Sequence, residues 1–375
     1  MSKHAVLAVA AAAAIALSSV GDVGTAAADD LTSIYGQILD NPVSTELNLQ
    51  YAMIAEGRGE YRKALSAYER VLANDPGNEA ARRGLQRIRR IIEPPITQTT
   101  WEGGGKIESN PLREPSPGAG DAFGYGSVRV RDERPLGAYR WRTLLGAYGE
   151  LHARETQMNY GNLSAETGPL IDLGGSMLTF RPAAGGAIAA FDGRFYYWDL
   201  NASGTLEGYL QGAHQWVRLR AGYRQYDASF TSDDGFYADL TGRFSRDDIF
   251  HDGDVVSVSP WLRWSGIAGE PNGGADEFSP GRYVDYGATV EYSKIINEWL
   301  TASASFKVGD RLYADIGGGA RRDLTLSPGA SLIFTNLLGI QTDLRFDYRY
   351  EWNDSNDADH DWQNHSLKIG VVVRR

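Results

Sequence analysis

The chain has 375 residues and a formal net charge of -11, with 48 Asp and Glu against 37 Lys and Arg, and no cysteine. That balance argues against nucleic acid as a partner, because affinity for a phosphate backbone comes from clustered cations; the missing thiols exclude disulfides, thiolate metal sites and thiol-linked lipids. With 44 Gly, 20 Tyr, 12 Phe and 9 Trp against 4 Met, the composition is that of twisted strands and tight turns, not of a helical core.

Residues 1–28 read as a secretory signal peptide. Lys3 and His4 precede an Ala-rich apolar run from Ala5 to Leu17, and Ala26-Ala27-Ala28 before Asp29 is a small-residue cleavage signal. The alternative, a membrane anchor, would need about 20 strongly apolar residues, which this run does not reach. An exported chain with no later membrane-length apolar stretch can enter a membrane only as a closed β-barrel, since closure satisfies every backbone hydrogen bond in lipid.

Between residues 29 and 93 the period is helical. Leu47, Tyr51, Ile54 and Ala55 share one helix face, Gly57 to Gly59 break the chain, and Tyr61, Ala64, Leu65, Tyr68, Val71 and Leu72 share the next. Asn74 to Asn78 stop that second helix, and Asn78 is placed to cap a third that carries Arg82, Arg83, Arg87, Arg89 and Arg90 around Leu85, Ile88 and Ile92. Glu93-Pro94-Pro95 ends the helices, and 94–97 reads as a linker.

From residue 98 to 375 the period changes to two. The alternation predicts about fourteen strands, near 98–108, 123–133, 138–152, 168–180, 185–199, 204–213, 216–228, 235–247, 253–266, 282–293, 297–310, 323–335, 340–352 and 365–374, an even number as bacterial barrels have. It is sharpest from Leu344 to Trp352, where Leu344, Phe346, Tyr348, Tyr350 and Trp352 face one way and Arg345, Asp347, Arg349 and Glu351 the other. Long polar connections (109–122, 153–168, 229–235, 266–281, 311–322, 353–364) alternate with short ones (133–137, 295–297, 337–339), as in outer-membrane barrels; the short connection 201–203 stands where a long one is due. A soluble sandwich or barrel would want a single apolar core face and short loops on both sides. The chain ends in Arg374-Arg375, whereas outer-membrane barrels usually end in an aromatic residue.

The phase opposite the apolar one carries Arg129, Arg131, Arg140, Arg142, Arg218, Arg220, Arg224, Arg263, Lys307, Arg345, Arg349 and Lys368, with fewer acids: Glu150, Asp285, Glu291, Asp347 and Glu351. Two readings stand: a basic lumen that guides an anionic polymer or peptide, or ladders of Arg and carboxylate that brace the wall. Asp354 to Asp361 superficially resembles a calcium loop but lacks its mid-loop Gly and closing Glu, so a solvated outside loop near lipid headgroups is the expectation. His152, His214, His251 and His365 lie in or near strands without a Ser or acid partner visible in the sequence; no catalytic, metal or cofactor residues are assigned, and no enzyme activity is expected. Gly103-Gly104-Gly105 lies within a strand, where it marks close backbone approach and not a phosphate loop.

The spacing of Ala52, Gly59-Glu60-Tyr61, Ala64, Tyr68, Leu72 and Pro76 resembles one tetratricopeptide repeat over about Thr45 to Asn78, with Tyr51 and Ala55 where that family usually has Leu and Tyr. One repeat cannot bury its own faces, so residues 31–38 and the Arg-rich third helix are expected to cap it. The resemblance implies an α+β multidomain chain: a short periplasmic all-α helical hairpin followed by a transmembrane antiparallel β-barrel of about fourteen strands in the bacterial outer membrane. It is similar in plan to surface lipoprotein assembly modifiers and, second, to exopolysaccharide secretion porins. By that likeness Glu46, Leu49, Met53 and Glu56 would form a groove for cargo or a partner, and Arg218, Arg220, Arg224, Arg263, Arg345 and Arg349 would line the lumen. The partners implied are outer-membrane lipid, the barrel assembly machinery, and an exported lipoprotein or anionic polysaccharide; a passive porin or structural outer-membrane protein is the third reading.

Overall fold

The computed structural model describes residues 28–116, 118–137, 139–173, 178–210, 212–230, 234–269, 280–314, 320–337 and 341–375; residues 1–27 of the expected signal peptide lie outside them. The chain divides into two compact units, one ending at Ile92 and the other beginning at Glu93.

Among the described residues the first unit is four helices: α1 (Ala28–Asp40), α2 (Thr45–Gly57), α3 (Tyr61–Asn74) and α4 (Glu79–Ile92). Ser44 caps α2 by accepting the Leu47 N–H at 3.3 Å, and Asn78 caps α4 by accepting the Ala81 N–H at 3.0 Å. Gly59, at φ +74°, supplies the left-handed residue that turns α2 into α3. Small residues let the helices approach closely: Ala52, Ala55, Ala64, Ala67 and Ala81 are fully buried, beside Tyr68, Val71 and Ile88. Gly84 is dictated by this packing, because a Cβ there would collide with the buried Tyr68 ring. Leu31, Ile34 and Ile38 of α1 close the core at one end.

The second unit is a closed antiparallel barrel of fourteen strands in which each strand pairs with its sequence neighbours and the first pairs with the last. The strands are β1 (Ile96–Glu108), β2 (Asp121–Leu136), β3 (Tyr139–His152), β4 (Tyr160–Asp172), β5 (Leu178–Phe191), β6 (Arg194–Leu210), β7 (Ala213–Tyr226), β8 (Gly235–Asp247), β9 (Asp254–Ile267), β10 (Gly281–Asn297), β11 (Leu300–Tyr313), β12 (Arg322–Phe334), β13 (Thr342–Ser355) and β14 (Trp362–Arg374). At 13 residues or more, each exceeds the roughly 9–11 residues a tilted strand needs to cross a bilayer. One face of the wall is apolar and exposed, with Trp101, Leu145, Leu163, Ile188, Leu200, Leu219, Leu240, Leu262, Val290, Phe306, Leu332, Tyr348 and Ile369. The other turns inward, since its side chains meet across strands that are not neighbours: Arg142 of β3 bonds Glu207 of β6 at 3.0 Å, and Arg218 of β7 bonds Glu166 of β4. That two-faced wall is an outer-membrane barrel.

Three strands differ from their expected positions. Segments 168–180, 185–199 and 204–213 were expected as strands, whereas β4, β5 and β6 lie several residues earlier. Pro182 and Ala184, expected in a connection, pair with Gly204 and Ala202 inside the sheet. Asn201 to Ser203, expected as a turn, sit mid-strand between β5 and β7. The short connection on the long-loop rim is instead Asp192-Gly193, both left-handed at φ 52° and 70°, a hairpin turn that Asp-Gly favours.

Candidate functional site: the barrel interior

The inward face is built from ion pairs anchored on carboxylates. Glu133 accepts from Arg131 and Arg142, each at 2.7 Å, and from Arg140 at 3.1 Å. Arg140 also donates to the Glu93 and Pro94 carbonyls at 3.2 and 3.0 Å, tying the segment that leads into β1 against the wall. Glu166 gathers Arg181 at 2.6 Å, Arg218, and the Ser203 hydroxyl at 3.4 Å. Asp239 holds Arg220 at 2.9 Å, Asp347 holds Arg345 at 2.8 Å, and Glu102 holds Lys368 at 2.6 Å. Arg224 lies over the Tyr197 ring at 3.8 Å with Tyr237 at 5.6 Å and Asp199 at 3.6 Å, a guanidinium held by π-faces as well as by charge. Arg263 stands in register between Asp239 and Asp285.

The interior therefore carries more acid than the sequence reading assigned it. Glu102, Glu133, Glu166, Asp199, Glu207 and Asp239 share the inward phase with the arginines. Glu166 and Asp199 fell in the part of the chain whose strands were set several residues late; Glu102 and Asp239 were legible from the alternation of their own strands.

Two larger cavities and a smaller one of about 270 Å³, lined by Glu102, Arg129 and Lys368 among others, lie in the interior. The first, about 650 Å³, is lined by Thr100, Arg131, Tyr148, Glu166, Tyr197 and Arg218 among others, so it spans the inner faces of β1 to β8. The second, about 610 Å³, is lined by Lys106, Glu150, Trp261, Lys307, Arg311 and Glu351 and by the loop residues Pro111 to Pro115. Tyr148 lines both. The loop after β1 is turned onto the wall: the buried Asn110 accepts the Glu114 N–H at 3.1 Å and donates to the Gln363 carbonyl at 3.1 Å, and its own N–H reaches the Asn364 side chain at 2.9 Å. Arg113 of the same loop binds Glu108 at 3.1 Å and Glu351 at 3.3 Å and stacks on Trp362.

The other residues singled out from sequence are placed as follows. Glu46 is exposed, Met53 is exposed, and Leu49 is half-buried against the helical core. Glu56 is held by Arg87 through two bonds of 2.8 and 2.9 Å and by the Tyr68 hydroxyl at 2.6 Å; the long spacing from α2 to α4 hid that partner. His152 has an acid partner that the sequence did not reveal, its Nδ1 lying 2.8 Å from the buried Asp121. The Nε2 makes no hydrogen bond among the described residues, so no nucleophile completes a relay there. In the acidic loop, Asp357 accepts the Asp359 N–H at 3.2 Å and meets His360 at 3.0 Å, while Asp361 accepts the Ser355 N–H at 2.6 Å; these carboxylates shape the turn. Gly104 lies where β1 meets β14, and a Cβ there would strike the Ile369 carbonyl, the close approach its position implied.

Residues 276–375 match the family model described as "Putative beta-barrel porin 2". No curated protein matches the chain. Among solved structures, the chain is similar to the outer membrane channel DcaP of Acinetobacter baumannii (8% identity, 76% of this chain and 98% of that one, TM-score 0.43). It is also similar to a loop-deletion mutant of OmpT, an outer membrane protein of Vibrio cholerae (6%, 75% and 99%, 0.41), and to a bacterial polysaccharide outer membrane secretin (12%, 75% and 98%, 0.38).

Proposed function

We propose that this chain is an outer-membrane channel of the porin type, with its helical unit on the periplasmic side and the longer connections outside. One observation carries the reading: the barrel interior holds cavities of about 650 and 610 Å³ that carry charged side chains and share Tyr148 as a wall residue, so the described side chains do not fill it. Most of their lining charges are engaged with each other and leave a polar path for small hydrophilic solutes. Lipid surrounds the apolar face, and the assembly machinery of the outer membrane inserts the barrel.

The surface-lipoprotein reading is the weaker one. It needs Glu46, Leu49, Met53 and Glu56 on an open groove, yet Glu56 is bound by Arg87 and Tyr68 and Leu49 packs on the core. Mixed charge inside the barrel likewise gives an anionic polysaccharide less of a continuous basic track than the arginines alone suggested. The test is single-channel recording of the purified full-length protein in planar bilayers. Discrete conductance steps support the channel; an electrically silent protein that is correctly folded overturns it.

A further inference from the structure

Most inward cations are matched, and two are not. Among the described residues, Lys307 and Arg349 have no carboxylate within 4.0 Å, whereas Arg142, Arg181, Arg218, Arg220, Arg311 and Lys368 each do. The acids nearest to Lys307 are already engaged. Asp285 accepts from Arg311 and from the Trp261 indole, both at 3.1 Å; Glu351 accepts from Arg113 at 3.3 Å and Asn364 at 3.4 Å. Trp261 further fixes the ammonium, which stands 5.2 Å from its ring centroid.

The strand between the two cations presents only small residues to the interior there. They flank β12, where Lys307 is in register with Ser327 and Arg349 with Gly329, so two interstrand spacings, about 10 Å, separate their strands. Ser327 is 2% exposed and its hydroxyl has no hydrogen-bond partner among the described residues, which leaves a donor unused opposite Lys307 and two residues along β12 from the register partner of Arg349. Like-charged groups set this close repel each other, and an anion between them removes the repulsion while adding charge-assisted hydrogen bonds.

We propose that Lys307, Arg349 and the Ser327 hydroxyl form a binding site for a small soluble oxyanion, a carboxylate or phosphate group, on the inner wall of the barrel. The site rests on the channel reading for its access to solvent. It makes the surplus cations a selective feature of the path, while the paired ones brace it.

Isothermal titration of inorganic phosphate into the full-length protein in detergent micelles tests this directly. K307Q/R349Q is expected to weaken phosphate binding by about tenfold or more, the effect of losing a charge-assisted contact, while R345Q/D347N, which removes a matched pair, leaves it unchanged. R349E serves where the double variant fails to fold, since Arg349 is exposed; it too must abolish the binding. Phosphate affinity equal to that of the parent in either variant, or no binding by the parent, overturns the site. Phosphate bound by a protein that does not conduct would reject the channel and keep the site. Conduction with phosphate binding indifferent to these residues would do the reverse.

Discussion

Glu166→Gln is the most informative single change in the barrel wall. The parent carboxylate is 11% exposed and binds Arg181, 5% exposed, at 2.6 Å, together with Arg218, 25% exposed. Removing one partner of a buried ion pair costs about 3–5 kcal/mol, because the stranded charge is left without hydration. Arg181 is close to that limit. Arg218 faces the 650 Å³ cavity, where water can hydrate it, so its share falls towards the ~1 kcal/mol of a solvated pair. The glutamine keeps one acceptor oxygen, and the net loss comes to about 3 kcal/mol. The measurement is urea unfolding of the barrel in lipid vesicles, followed by the folded and unfolded bands on unheated gels. A second substitution tests the cause: E166Q/R181M removes the stranded guanidinium and should recover about 2 kcal/mol of the loss. A single variant within about 0.5 kcal/mol of the parent, or a double variant whose losses simply add, would refute the bracing role.

The helical unit supplies two further predictions. Gly84→Ala forces Tyr68 out of its place and should destabilise α2–α4 by about 2 kcal/mol, since overpacking and the loss of the Tyr68–Glu56 bond outweigh the helix propensity gained; hydrogen exchange of peptides within residues 45–92 of the full-length protein reads it, and unchanged protection sinks it. Burial, followed by the hydrogen bond and charge of Glu56, pushes the Tyr68 phenol well above its ordinary range. A raised folded-state pKa gives stability that is complete below about pH 10 and is lost as pH rises further, by at most about 1.4 kcal/mol per pH unit. Protection of the same peptides should therefore drop between about pH 10 and about 11 in the parent and drop less in Y68F; equal slopes would remove Tyr68 as the cause.

Much of the barrel was legible because alternation is a physical signature of a wall with two solvents. From β7 onward every strand carries branched or aromatic residues on one phase and charge on the other, and the strand positions follow. In β4 to β6 the signal fails for a definite reason. Gly168, Gly185 and Gly186 stand where a Cβ would strike the backbone of the neighbouring strand, and small residues fill both faces around them, as Ala183, Ala184, Ala187 and Ala189 show. With the alternation lost there, three strands were set several residues late, Pro182 fell in an expected connection, and the true Asp192-Gly193 turn passed unnoticed. In the interior, the arginines announce themselves by type, but whether each is matched depends on pairings across two intervening strands. Glu166 with Arg218 and Arg142 with Glu207 are examples. The unmatched state of Lys307 and Arg349 is invisible for the same reason.

The seam between β1 and β14 sets a limit on how the molecule can be made. Thr100 pairs with Arg374 and Gly104 with Gly370, contacts between nearly the first and the very last residues of the second unit. Such pairings carry a high entropic cost of chain closure and form late. Until the final strand arrives, β1 remains an open sheet edge, so the polypeptide has to be kept from sticking to other edges for the whole of its synthesis and delivery. Any truncation that removes β14 leaves an unclosed sheet in place of a smaller pore, and loss-of-function alleles should therefore extend through the codons of β14.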